Sequence, residues 1–257
     1  MHARVRTVDT GRFARIIAVS DIHGSDAAFA RLLARVGFCP GDALLLVGDY
    51  IERGNASLPL LRRIMDLSAC GNAFVLAGNC DNLIEDLFFP QYRGDPIAYL
   101  RRHRQTILHE MLAEQGTPFD ERTSLDGLRE MVARHYAAER AWLAALPHII
   151  DTPGHVFVHA GLDAGPVGAQ DAERCLKRRN FFEEAPAFPR PVVLGHMPCQ
   201  FLRADGSGDP LFDPTRNLIF IDGGAQVVPG GTLNALVILL VAILTMMLFS
   251  EREPSGR

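Results

Sequence analysis

Six side chains able to bind a metal ion stand in short glycine-bearing turns along this 257-residue chain. Asp21 and His23 lie in SDIHG (20 to 24), Asp49 in GDYIERG (48 to 54), Asn79 in GNCD (78 to 81), His159 in HAG (159 to 161) and His196 in GHMP (195 to 198). Singly, each has an ordinary explanation: the aspartates as helix caps, the asparagine in a left-handed turn, a lone histidine in the core. Together, two carboxylates, an amide oxygen and three imidazoles suit Mn²⁺, Fe or Zn²⁺ better than an all-oxygen Mg²⁺ or Ca²⁺ cage. Six donors exceed what one catalytic ion takes while keeping an open position, so two ions sharing a bridging carboxylate is the economical count. Such a pair, about 4 Å apart, can deprotonate a bridging water and clamp the oxygens of an in-line displacement at phosphorus. The chemistry implied is hydrolysis of a phosphate ester by a metal-bridging hydroxide.

To act together, these turns must converge. Each follows an apolar, often β-branched run: RIIAV, ALLLV, AFVLA, HVFV and PVVL, with a sixth run, NLIFI, ending in DGG (222 to 224). Continuous apolar runs between helix-like segments are what strands buried on both faces look like, so an α/β core of sheet covered by helices is expected. Ligand sites in such sheets gather beyond the carboxyl ends of the strands, which turns the scattered motifs into one crevice.

Between the third and fourth motifs lies a long segment, about 85 to 148, expected to form a helical cap. Its helix-like stretches YLRRHRQTILHEML and LDGLREMVARHYAAERAWLAAL are punctuated by Gly94-Asp95-Pro96 and Gly116-Thr117-Pro118. The basic cluster Arg101, Arg102, His103 and Arg104 could lean over the crevice and hold an anionic tail, although such a run is ordinarily a solvated helix face.

Composition narrows the class. With 48% hydrophobic and 22% charged residues the chain reads as globular, and a net charge of -4 gives no general electrostatic case for nucleic-acid binding. Five cysteines, widely spaced and never in a C-x-x-C pair, argue against a disulfide framework and a structural zinc knot. A reducing, cytoplasmic setting follows, and the first fourteen residues lack the apolar centre of a secretory signal. Ala235 to Phe249 is uncharged but short of the roughly 20 residues of a membrane span. LNALVIL is expected as a buried strand and AILTMMLF as a short packed helix or loose tail, with membrane contact by a tail over 241 to 257 as the alternative.

The motifs, in this order and strand context, resemble the calcineurin-like metallophosphoesterase superfamily, and within it the phosphoprotein phosphatases and symmetrical dinucleoside tetraphosphatases. The resemblance covers residues 16 to about 240, within a domain expected over 14–240. It implies a β-sandwich flanked by helices in α-β-β-α layers with a helical cap insertion. It also implies that Asp21 and His23 bind one metal, that Asp49 bridges, and that Asn79, His159 and His196 bind the second. Arg53 would grip phosphate oxygens with its planar fork, joined by Arg178 or Arg179 after HAG.

Two departures fall on proton transfer. Where the resemblance implies an acid His oriented by an Asp, this chain has Cys80, followed by Asp81, and Glu52. Cys80 reads as a bystander or weak acid at the leaving-group side, because six harder donors already fill both metal sites. Losing a positioned acid costs about 10²- to 10⁴-fold for a leaving group that needs a proton, and far less for a good one. The first expectation is a serine/threonine protein phosphatase-like phosphomonoesterase. The alternative is a phosphodiesterase or dinucleoside polyphosphate hydrolase with the same two ions, and the third is a non-catalytic phosphate-binding module.

Overall fold

The fold was described from a computed structural model, which covers residues 1–89, 94–240 and 246–252. Its strands are β1 (Val5–Thr7), β2 (Arg15–Val19), β3 (Asp42–Val47), β4 (Ala73–Leu76), β5 (Ile149–Asp151), β6 (Val156–Val158), β7 (Val192–Leu194), β8 (Leu211–Asp213), β9 (Leu218–Phe220), β10 (Leu233–Leu239) and β11 (Met246–Glu251). Among the described residues they form two mixed sheets, ordered β11-β10-β2-β3-β4 and β1-β5-β6-β7-β9-β8.

Alternate residues of each strand point to opposite faces, and in the central strands both faces are buried. Ile16, Ala18 and Leu45 of one sheet pack against Phe157, Val193 and Ile219 of the other. Ile17, Val19, Leu44 and Leu46 face outward onto α1 (Asp26–Arg35) and α2 (Ser57–Ala69), meeting Phe29, Leu32, Leu61 and Ile64. On the far side, Val158, Leu194 and Phe220 are covered by Cys175, Phe181 and Cys199 from short helices. This is the expected α-β-β-α layering, and it explains why the strands read as unbroken apolar runs.

The segment after β4 is helical: α3 (Leu83–Asp86), α4 (Pro96–Arg102), α5 (Ile107–Glu114), α6 (Leu125–His135) and α7 (Ala137–Ala145). Asp95 caps α4 by accepting from the Ile97 N–H, with Pro96 as the first helical residue, where its missing N–H costs nothing. Each of the two long helix-like stretches is in fact two helices. The first breaks at 103 to 106, where His103 is extended and the Thr106 side chain caps α5; the second breaks at Tyr136. A capping threonine inside an apolar period of three to four is easily read through as helix.

The C-terminal expectation is corrected. LNALVIL is β10, buried between neighbours, but β11 follows it as an antiparallel partner, with Leu236 opposite Leu248. Arg31 and Arg35 of α1 hold its end through Glu251. An apolar run ending in Ser250 and Glu251 beside an open sheet edge satisfies its backbone groups by pairing with β10. Residues 241–245 and 253–257 of that expectation lie outside the described residues. Among the described residues no helix is long and apolar enough to cross a membrane.

Candidate metal centre

Parallel pairing sets the turns side by side. Val19 lies opposite Leu46 and Val47 opposite Leu76, so the turns carrying Asp21, Asp49 and Asn79 emerge together from β2, β3 and β4. Val158 lies opposite Leu194 and Leu194 opposite Phe220, which does the same for His159, His196 and Asp222. Cross-sheet bonds join the two rows: the His196 N–H donates to Asp21 Oδ2 at 3.0 Å, and His159 Nδ1 lies 3.0 Å from the Val47 carbonyl oxygen.

The backbone is bent to make this possible. Asp21, His23, Asp49, Glu52, Arg53 and His196 all have positive φ, from 47° to 75°, a conformation that non-glycine residues seldom adopt and that clusters at functional sites. The neighbouring glycines are required by close approach. A Cβ on Gly78 would strike the Asp49 carboxylate, and one on Gly195 would strike that of Asp21.

All six sequence-identified donors come together. His23 Nε2 lies 3.7 Å from Asp49 Oδ2 and 4.0 Å from Asp21 Oδ1, while His159 Nε2 lies 3.4 Å from Asp49 Oδ1 and 3.2 Å from Asn79 Oδ1. The His196 ring meets that of His159 edge-on at 5.0 Å. Donor atoms form two groups whose members lie within 4.8 Å of one another: Asp21, Asp49 and His159, and His23, Asp49 and Cys80. Asp49 is common to both, as a bridging carboxylate would be. The partition otherwise differs from the one the resemblance implies, and the Cys80 sulfur stands within reach of a metal instead of apart from it.

The electrostatics favour a cation here. Burial, with the Asp49 charge adding to it, pushes the Asp21 carboxyl well above the usual carboxylate range, and burial with Asp21 nearby does the same to Asp222. Burial lowers His23 to about 4 and His196 to about 3, keeping both imidazoles neutral. Burial alone would raise Asp49 too, but the imidazoles of His159 and His23 and the Cys80 N–H at 2.8 Å outweigh it and hold this carboxyl below its ordinary range. Neutral imidazoles are the ligand form a divalent ion requires, its charge would offset the burial and crowding that disfavour the Asp21 carboxylate, and the buried Nε2 of His196 has no hydrogen-bond partner among the described residues. The donor set therefore fits two divalent ions.

Of the remaining site candidates, Asp81 lies behind the donors. Its carboxylate accepts the N–H groups of Asp49 and Tyr50 at 2.9 Å each and of Gly78 at 2.7 Å, tying the third turn to the second. Glu52, Arg53 and Cys80 instead line a cavity of about 410 Å³ next to Asn79, walled by Tyr99, Arg102, His103, Arg104, Lys177 and Arg179. Glu52 is buried, and its carboxylate accepts from the Tyr99 hydroxyl at 3.0 Å and the Ile107 N–H at 3.2 Å. Arg53 is exposed, and its N–H donates to the Gln105 carbonyl at 3.0 Å. Of the two arginines after HAG, Arg178 is paired with Asp163 at 2.9 Å, whereas Arg179 is on the cavity wall. Larger clefts of about 540, 510 and 420 Å³ contain none of the six donors.

Sequence reasoning missed three contributors. Asp222, in the DGG turn, was noticed without a role. Tyr50 locks two strand ends together, its hydroxyl accepting from Gly48 N–H and lying 2.7 and 2.6 Å from the carbonyl oxygens of Leu46 and Leu76. Tyr99 reaches Glu52 from the cap, and no local sequence signal marks such a long-range bond.

Comparison with known proteins agrees with the geometry. A family model described as calcineurin-like phosphoesterase matches residues 14–228. The chain is 33% identical over 152 residues to a symmetrical bis(5'-nucleosyl)-tetraphosphatase of Aromatoleum aromaticum, covering 58% of this chain and 45% of that protein. It is 35% identical over 148 residues to the protein of the same description from Dechloromonas aromatica, covering 56% and 43%. The matched region thus spans less than half the length of these curated relatives. Among solved structures, one provisionally described as a diadenosine tetraphosphatase superposes with a TM-score of 0.65 at 21% identity, covering 98% of this chain and all of that one. A serine/threonine phosphatase from Saccharomyces cerevisiae gives 0.61 at 14% identity, covering 100% and 86%. With motifs, layers and converging donors in agreement, and the family model matching most of its length, the chain belongs to the calcineurin-like phosphoesterase family.

Proposed function

We propose that this chain is a divalent-metal-dependent hydrolase of phosphoanhydrides and activated phosphate esters, with a dinucleoside polyphosphate as the best-matched substrate class. The observation that carries the reading is a wall of cations beside a buried metal-type donor set. Arg53, Arg102, Arg104, Lys177 and Arg179 surround a cavity whose floor includes Asn79. One phosphate needs one or two such groups, whereas a polyphosphate chain can use them all.

In this reading Asp21, His23, Asp49, Asn79, His159 and His196 hold two ions, manganese being the first choice. Bound there, the ions supply charge neutralisation at the phosphoryl oxygens and a supply of hydroxide near neutral pH. The protein's own part is to orient. Arg53 and Arg179 grip the phosphoryl group under attack, and Arg102 and Arg104 hold the phosphates beyond it. Asp81 is a positioning residue that fixes Asp49 through the backbone. A phosphoanhydride leaves as a stabilised phosphate, so a thiol at position 80 is little hindrance.

The tetraphosphatase description of the relatives supports this order of preference. The phosphoserine/phosphothreonine expectation keeps only a likeness of fold and stands behind it. Manganese-supplemented protein should be assayed on a dinucleoside tetraphosphate, a bis-aryl phosphodiester and a phosphopeptide. Highest kcat/KM on the tetraphosphate is expected; preference for the phosphopeptide would reverse the order, and no hydrolysis of any of the three would leave only a phosphate-binding module.

A further inference from the structure

An alkyl phosphate, unlike an anhydride, needs a proton on its leaving oxygen, and the cavity can be searched for one. Glu52 acts as an acceptor from the Tyr99 hydroxyl and the Ile107 N–H. The Tyr99 proton is thereby committed to Glu52. Arg53, Arg102, Arg104, Lys177 and Arg179 supply guanidinium and ammonium groups to the walls, which suit them to clamping phosphoryl oxygens. A thiol such as that of Cys80 is a weak donor. Imidazole is the side chain that gives and regains a proton near neutrality, and His103 lines this cavity.

We infer that His103, delivered by the cap, is the acid that protonates the leaving oxygen and extends the site's activity to alkyl phosphate monoesters. The helix break places it. α4 ends at Arg102, His103 is extended, and its ring lies 4.3 Å from that of Tyr99 with the planes 34° apart. Tyr99 is held at 3.0 Å by Glu52, which belongs to the same turn as Asp49, so the ring of Tyr99 packs the imidazole of His103 at the cavity wall. The Arg53 N–H to Gln105 bond fixes the segment from its other end. In the step, water adds its oxygen to phosphorus and loses a proton to solvent. The bond from phosphorus to the alkoxide oxygen breaks with its electron pair on that oxygen, which takes the proton of the His103 imidazolium and leaves as the alcohol. The neutral imidazole then regains a proton from solvent.

This inference rests on the hydrolytic reading above, and one experiment separates their failures. With manganese-saturated protein, His103→Gln and Tyr99→Phe are compared with wild type on glycerol phosphate, 4-nitrophenyl phosphate and a dinucleoside tetraphosphate across pH. Wild type should cleave all three. His103→Gln should lose about 10²-fold or more on glycerol phosphate, and its fall in rate on the alkaline side should vanish there, while the two good leaving groups change less than about tenfold. Tyr99→Phe should fall between. Equal losses on all three substrates, no loss, or a wild type blind to glycerol phosphate alone would each overturn the role of His103 and leave the hydrolase reading standing. Inactivity of wild type on every substrate would overturn both.

Discussion

Asp49 carries more of the site than any other side chain. It belongs to both donor groups, its carboxylate accepts the Cys80 N–H, and its own N–H is held by Asp81. Asp49→Asn should lower kcat/KM on a dinucleoside tetraphosphate by well over 10²-fold, since altering even the partners of metal ligands costs about 10- to 100-fold. Asp81→Asn presents an amide N–H₂ to backbone N–H groups, so manganese affinity should weaken by about 10- to 100-fold, with activity regained at high manganese. Loss that no manganese concentration rescues would put Asp81 in the chemistry itself. Cys80 is a separate question. Its sulfur is close enough to share an ion with His23 and Asp49, and thiolates favour Zn²⁺ over Mn²⁺. Cys80→Ser should leave manganese-supported hydrolysis of an aryl phosphate within about tenfold while weakening zinc binding in a titration. Complete inactivation with manganese would show the thiol to be essential. The donor residues could be singled out in the sequence because each follows a buried apolar run, and His23, Asp49, Asn79 and His196 each adjoin a glycine. The place of Cys80 was not, since hardness and donor counting cannot say where a sulfur points.

At the scale of elements, the cap does more than cover. Its break between α4 and α5 carries Thr106 as a cap, offers the Gln105 carbonyl to Arg53, and sets His103 and Arg104 on the cavity wall. An apolar period reads straight through this break, because Ile107, Leu108 and Met111 continue the pattern that Tyr99 and Leu100 begin. The basic run that looked like a solvated helix face is therefore divided: Arg102 and Arg104 line the cavity. Arg102→Ala with Arg104→Ala should raise KM for a dinucleoside tetraphosphate by about tenfold, the scale of one lost charge-assisted hydrogen bond, and leave KM for a small aryl phosphate nearly unchanged. Equal effects on both substrates would place these arginines at the reacting phosphoryl group.

At the scale of the molecule, two sheets present their carboxyl ends to one crevice. The six motif-bearing strands and their turns were readable because burial on both faces leaves an unbroken apolar signature. The short β1, β5 and β8 and the closing β11 were not: β1 is exposed throughout, β8 has no buried residue, β5 buries only two, and β11 is a sheet edge, so none carries the unbroken buried run of β6, β7 and β9. Stability should carry the mark of histidines buried away from the crevice. Burial, helped by Arg4 for His148 and Arg190 for His155, lowers both to about 4 from an ordinary 6.5. The unfolded chain therefore binds more protons between those values, so stability is full above about 6.5 and falls as pH drops toward 4. Melting temperatures measured through that window should decline, and a flat profile would deny that these imidazoles stay neutral in the folded state. The most direct test of the whole reading is metal stoichiometry. Protein equilibrated with manganese and freed of excess should retain two ions per chain, and Asp49→Asn should retain fewer than one; a wild type that holds one ion or none would contradict the convergence of six distant donors on a shared pair.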